Sequence, residues 1–258
     1  MFLKKIFGLK GKVSAIIGGY GTLGSKMSEG LAKAGSDIVI LGPTRASGEK
    51  MAAKISKLGV EALYIKTDAT IKDELITADK IIHERFGKID ILINAPGINS
   101  STPFLEIKEE EWQKILDVNL KSIFLSCQVF GKRMIDNKRG GSIINISSAS
   151  SGPPLSKVFT YSVSKAGINN LTQNLAREWA KYDIRVNALI PGFFPAKQNR
   201  EVLTKERIES IIDHTPMNRF GEPEELIGVV ILLASEEASS FITGALIRVD
   251  GGFLSMTI

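Results

Sequence analysis

Seven short runs rich in β-branched and other apolar residues recur along the chain, separated by longer segments, most of them of helical period. The runs are VSAIIGG, SDIVILG, EALYIKTDA, IDILINAPG, SIINISS, RVNALIPG and ALIRVDGG. Residues 25–34, 45–58, 72–86, 108–137 and 161–182 carry apolar positions at helical spacing. Strands that are apolar on both faces and alternate with helices predict a parallel sheet covered on both sides. No Pro/Gly/Ser-rich linker divides the chain and no internal repeat is visible, so residues 1–258 read as one domain.

Composition matters mainly for what it excludes. No apolar run approaches the ~20 residues of a membrane span. The opening MFLKKIFGLKGK lacks a long apolar stretch and a small-residue cleavage site, and reads as a surface leader into the first strand. The one cysteine, Cys127, cannot form an internal disulfide, which suits a cytoplasmic setting; it lies in an apolar helical run and reads as core. His83 and His214 are far apart and form no ligand-spaced cluster, so no metal is expected. The net charge of +5 suits anionic ligands, but the basic residues are spread along the chain, which argues against nucleic acid.

The first strand runs into GGYGTLG, where Gly19, Gly21 and Gly24 spell G-x-G-x-x-G. Glycines there permit a tight turn and close backbone approach to a pyrophosphate, and the following helix start supplies free N–H groups. A dinucleotide site is expected at Gly18, Gly19, Gly21, Thr22, Leu23 and Gly24. At the end of the second strand an acidic residue would bind a ribose 2′-OH and a basic one a 2′-phosphate. The chain has Gly42, Pro43, Thr44 and Arg45 there. The missing carboxylate and nearby Arg45 favour NADP over NAD, although Arg45 could equally begin a surface helix.

The second half carries Ser148 at a strand end, then Tyr161-Ser-Val-Ser-Lys165. Positions i and i+4 share a helix face, so Tyr161 and Lys165 can enter one cleft. A lysine ammonium would favour the phenolate and move Tyr161 toward a useful acid/base range. Ser148 could donate to a carbonyl oxygen and polarise it for hydride attack.

These features together resemble the short-chain dehydrogenase/reductase family, nearly end to end. The resemblance rests on the glycine turn, Asp68 after the third strand, Asn94-Ala-Pro-Gly97 after the fourth, and Asn119 in DVNLKS. It continues through Ser148, Tyr161, Lys165, VNALIPG and VDGG. It implies a Rossmann-type, doubly wound α/β fold of about seven parallel strands, and a catalytic set of Asn119, Ser148, Tyr161 and Lys165. The Asn119 backbone would hold a water linking Lys165 to solvent, and Lys165 would also bond the nicotinamide ribose. Asp68 and Ala69 would lie against the adenine, and Asn94, Ala95 and Gly97 along the cofactor. Pro191, Gly192 and Phe194 would lie near the nicotinamide. The chain departs from the family pattern at Ile17, Thr22, Pro96 and Ala196; Gly21 beside Thr22 is expected to restore backbone freedom.

Substrate loops in this family follow the fourth, fifth and sixth strands, with a lid here at about 193–214. PGFFPAKQNR, FLSCQVFGK and PLSKVFTYSVSKA resemble family members acting on sugar acids of the mannonate/fructuronate or gluconate type. Ser148, Lys157, Phe193, Gln198, Asn199 and Arg200 are the candidate substrate residues. Lys157 and residues 197–200 could clamp a carboxylate, or could face water. The alternatives are a 3-oxoacyl-[acyl-carrier-protein] reductase and a catalytically silent dinucleotide sensor. The resemblance also implies a homotetramer joined through helices and the apolar C-terminal segment.

Overall fold

Successive residues of β1 (Val13–Ile17) point to opposite sides, and both sides are buried. Val13, Ala15 and Ile17 join one apolar core and Ile16 joins a second. β2 (Asp37–Gly42) repeats this division, with Val39 and Leu41 on the first side and Ile38 and Ile40 on the second. A strand buried on both faces belongs in a covered parallel sheet, which is what the chain forms. The computed structural model describes residues 2–153, 155, 157–195 and 204–256. β3 (Ala62–Lys66), β4 (Ile91–Asn94), β5 (Gly141–Ile146), β6 (Ile184–Pro191) and β7 (Leu246–Val249) complete a seven-stranded sheet in the order β3-β2-β1-β4-β5-β6-β7. All its pairings are parallel.

The order reverses between β1 and β4. From β1 the chain winds out through β2 to β3, and from β4 it winds the other way to β7. Right-handed crossovers therefore place helices on both faces. One core receives α2 (Thr22–Lys33) and α3 (Arg45–Ser56) through Met27, Leu31, Met51 and Ile55. The other receives α4 (Lys72–Phe86) through Leu75, Ala78 and Ile82.

The helix expected over 108–137 is instead α5 (Glu109–Leu116) and α6 (Ser122–Asn137), joined by a π-helical turn at Asp117–Lys121. The Ser122 N–H bonds the Asp117 carbonyl, closing five residues rather than four. α7 (Phe159–Trp179) follows β5, and α8 (Lys205–Asp213) lies beyond β6. α9 (Ile227–Ala234) and the short α10 (Glu236–Ser239) precede β7. Within the leader, Phe2–Phe7 form α1, and Leu9 is buried in the core beside α2 and α9 rather than lying on the surface.

A buried polar ladder crosses from the sheet to α6 and α7. Asn94 Nδ2 donates to Asn145 Oδ1 at 2.8 Å, and Asn145 Nδ2 donates to Thr172 Oγ1 at 2.9 Å. Ser126 Oγ donates to Asn94 Oδ1 at 2.7 Å. All four residues are fully buried, so each group relies on these partners. Replacing Asn94 with leucine leaves Asn145 Oδ1 without its donor, while Ser126 Oγ keeps the Ile123 carbonyl at 2.9 Å. Asn94→Leu is expected to lower the urea-unfolding free energy by about 1–3 kcal/mol for the acceptor left unpaired; a variant as stable as the parent would refute the ladder's role.

Candidate active site

β1 ends at the point of strand-order reversal, and the chain there must turn tightly into α2. Gly18 takes a left-handed φ of +75°, and a Cβ on it would lie 2.8 Å from the Ala95 carbonyl oxygen. A Cβ on Gly24 would meet the Gly18 oxygen at 2.1 Å. Both positions therefore exclude side chains, and the backbone forms an open cradle before the first turn of α2. Gly21 has an ordinary φ of −69° as the N-cap of α2, and Thr22 begins the helix. The freedom expected at Gly21 is thus carried by Gly18, and Thr22 occupies a helical position that tolerates a side chain. Gly19 backs the turn onto α2, its carbonyl accepting from Ser28 Oγ at 3.1 Å.

Two cavities meet over this cradle. One, of about 970 Å³, is lined by Gly18, Gly21, Tyr20, Gly42, Pro43, Asp68 and Ala69, among others. The other, of about 600 Å³, is lined by Gly18, Gly21, Thr22, Leu23, Gly24, Ser148, Tyr161, Lys165, Pro191, Gly192, Phe193 and Phe194, among others. They share Gly18, Gly21, Ala95, Pro96, Gly97 and Ile98, so they form two lobes of one cleft. Its two-lobed shape and glycine floor fit an extended dinucleotide, with the adenosine half toward Asp68 and the nicotinamide half toward Tyr161.

At the adenosine end Asp68 Oδ1 accepts from the Thr70 N–H at 2.9 Å and the Thr70 hydroxyl at 2.7 Å, which fixes the turn after β3. Tyr20, not foreseen from the sequence, fills the space a side chain at Gly42 would need: a Cβ there would lie 2.6 Å from its ring. Its hydroxyl accepts from the Thr44 N–H at 3.0 Å. Arg45 stands outside the cleft lining and pairs with Glu49 at 3.1 Å along α3. The structure therefore gives Arg45 the surface-helix position and leaves the β2 terminus without a carboxylate.

At the other end the reactive groups converge. β5 carries Ser147 and Ser148 into the cleft, and α7 presents Tyr161 and Lys165 one turn apart. Lys165 is 2% exposed, and its Nζ donates to the Ile146 carbonyl at 2.8 Å while lying 5.5 Å from the Tyr161 ring centre. Burial pulls its ammonium down to about 7. Tyr161 moves the opposite way from the expected direction: burial pushes its phenol up, and the hydrogen-bonded Ser148 hydroxyl draws it partly back. Ser148 Oγ also accepts from the Ser150 N–H at 3.2 Å and hydroxyl at 3.1 Å, so its own proton is directed to other partners.

Asn119 is fully buried in the π-turn and lines neither lobe. Its amide pairs with the Ile98 backbone both ways, at 2.8 and 2.9 Å, and donates to Ser164 Oγ at 3.1 Å. It ties the loop after β4 to α7. Asn94, expected beside the cofactor, directs its side chain into the buried ladder instead. Lys157 is exposed, has a φ of 61° and does not line the cleft. Gln198, Asn199 and Arg200 lie outside the described residues. Phe193 packs edge-on against Phe253 with ring centres 5.1 Å apart, and forms part of the wall with Phe194. Ser150, Val158 and Arg207 also line this lobe; they fall within the expected substrate loops after the fifth and sixth strands but were not singled out as site residues. Cys127 is buried as expected, its thiol pushed up to about 12.

A glycine cradle beside a Ser–Tyr–Lys cluster, at the strand reversal of a parallel sheet, defines a dinucleotide-dependent oxidoreductase. The chain belongs to the short-chain dehydrogenase/reductase family: residues 20–254 match the family model described as enoyl-(acyl carrier protein) reductase. It is 37% identical to 2-dehydro-3-deoxy-D-gluconate 5-dehydrogenase of Escherichia coli (strain K12), over 96% of this chain and 98% of that protein. It also resembles a gluconate 5-dehydrogenase of Burkholderia cenocepacia J2315, solved with NADP and tartrate. There the TM-score is 0.93 and the identity 31%, over 98% and 99% of the two chains. A Haemophilus influenza structure with bound NAD matches with TM-score 0.93 and 32% identity, over 99% of each chain.

The buried Lys165 gives a pH signature in the cofactor-free protein. Its folded value near 7 lies below the ordinary lysine value of 10.5, so the unfolded chain binds the extra proton between these values. Stability contributed by this group is therefore smallest below about pH 7 and rises toward pH 10.5. Lys165→Met is expected to flatten that rise in denaturant midpoints measured across the window; an unchanged pH slope would contradict it.

Proposed function

We propose that the chain interconverts a carbonyl and a secondary alcohol on a sugar acid, using NADP(H) or NAD(H). The observation that carries the reading is the convergence of Ser148, Tyr161 and Lys165 on the same cleft as the glycine cradle. Relatives named for gluconate and deoxygluconate oxidation support the substrate class, and NADP with tartrate in the Burkholderia relative supports both cofactor and hydroxy acid.

Gly18, Gly19, Gly21, Thr22, Leu23 and Gly24 would hold the pyrophosphate, with Asp68 and Ala69 at the adenine and Ala95 and Gly97 along the middle. Pro191, Gly192 and Phe194 would flank the nicotinamide. When bound, the nicotinamide supplies or takes up the hydride. Tyr161 gives its proton to the carbonyl oxygen in reduction and takes it from the hydroxyl in oxidation. Its raised phenol suits a protonated donor at neutral pH. Ser148 donates to the same oxygen and stabilises the charge that develops there. Lys165, when protonated, favours the phenolate that remains, and would bond the nicotinamide ribose. Asn119 holds the π-turn against α7, and its backbone would place a water toward Lys165.

The domain is a single unit over residues 1–258, with a lid at about 193–214 formed from its own loops. Assembly as a homotetramer is supported by an apolar groove between α5, α6 and α7, where Leu116, Leu120 and Leu171 surround a half-exposed Phe124. A cytoplasmic setting is supported by the lone buried cysteine. No helix among the described residues is long and apolar enough to cross a membrane.

Tyr161→Phe keeps the ring and removes the proton. It is expected to lower kcat for a keto-sugar acid by about 10²–10⁴-fold, while the dinucleotide still binds in a fluorescence titration. Turnover at the parental rate would refute the assignment of Tyr161.

A further inference from the structure

The turn that follows β5 sets the direction of a hydroxyl at the reaction centre. Ser148 has an extended backbone, with φ −164° and ψ 155°, and caps the short turn Ala149–Ser151. Ser150 lies two residues on, and reaches Ser148 Oγ twice. Its N–H donates at 3.2 Å and its hydroxyl at 3.1 Å. Ser150 is 4% exposed and lines the lobe that holds Tyr161. The turn is pinned to α7 on either side of it. Ser147 Oγ donates to the Lys165 carbonyl at 3.1 Å, and Asn169 Nδ2 donates to Ser151 Oγ at 2.9 Å.

Capping the turn takes the Ser150 N–H alone, which any residue but proline supplies. The hydroxyl does something further. A serine oxygen accepts at two lone pairs and donates one proton. With the N–H on one lone pair and the hydroxyl on the other, Ser148 Oγ has no acceptor site left. The Tyr161 phenol hydrogen-bonded to it cannot then spend its proton on Ser148, and Ser148 is the donor of that pair. A hydroxyl that accepts from another hydroxyl is also the stronger donor. Without the Ser150 hydroxyl, one lone pair opens to the phenol and the pair can lock the other way round.

We infer that Ser150 is a positioning residue: its hydroxyl fixes the polarity of the Ser148–Tyr161 contact, so that both protons remain available to the reacting oxygen. The inference rests on the roles proposed above for Ser148 and Tyr161.

The test is a double-mutant cycle on kcat for a keto-sugar acid, using the full-length parent, Ser150→Ala, Ser148→Ala and the double variant. Ser150→Ala is expected to lower kcat by about three- to tenfold, the scale of one ordinary hydrogen bond, with the dinucleotide dissociation constant unchanged. In the Ser148→Ala background the same change should cost less than about twofold, because Ser150 acts through Ser148. If Ser150→Ala loses dinucleotide binding, and with it its fold, Ser150→Cys takes its place as a side chain of similar size and weak donor strength. An unchanged kcat, or an equal loss in both backgrounds, overturns the positioning role. A parent that turns over no keto-sugar acid overturns the substrate class instead. The cycle is then read on the Tyr161 phenol carbon by NMR of tyrosine-labelled protein, where Ser150→Ala must move the signal in the parent and leave it in place in Ser148→Ala.

Discussion

At the reversal between β1 and β4 the backbone of the first turn passes so close to the loop after β4 that Gly18 can carry no side chain. The rest of the site depends on this approach. With the Ala95 carbonyl 2.8 Å from the position of a missing Cβ, the two loops jointly floor a cleft instead of closing over it. The winding of the sheet in opposite directions leaves that floor uncovered, because each crossover helix is carried away from the gap. α2 then points its free N–H groups into the opening.

Reactive chemistry enters from the β4-to-β7 half. β5 delivers Ser148, and α7 packs along β6 so that Tyr161 and Lys165 overhang the same strand end. Placing Lys165 there is costly, since its ammonium gives up water for burial beside the Ile146 carbonyl. The surroundings hold it firmly all the same. Ser147 Oγ bonds the Lys165 carbonyl at 3.1 Å, and the Asn145–Thr172 contact fixes α7 against β5. The buried ladder and the Asn119 clamp thus support the catalytic cluster from behind, as rigid positioning requires.

Much of this was legible in the sequence, for identifiable reasons. Strands buried on both faces gave the parallel sheet, and i, i+4 spacing brought Tyr161 and Lys165 together. The π-turn was not legible, because one extra residue in a turn barely disturbs an apolar period over 108–137. Asn94 was placed beside the cofactor on its motif, yet strand parity pointed elsewhere. Asn94 shares a face with Leu92, which packs in the α4 and α6 core, and pairs in register with Asn145. The phenol shift was missed because charge attraction was weighed without burial, which dominates at Tyr161. Arg207 fell within the expected lid at about 193–214 but was not singled out, because nothing in the spacing says which face of α8 meets the cleft.

The account's central claim is that this cleft brings a nicotinamide dinucleotide and a sugar-acid carbonyl together. The direct measurement is absorbance at the nicotinamide band with NADPH and NADH, against keto-sugar acids and an acetoacetyl thioester. Oxidation of the dinucleotide by a keto-sugar acid, with little by the thioester, is the predicted result. Turnover of the thioester alone would contradict the account and assign the cleft to acyl-carrier chemistry.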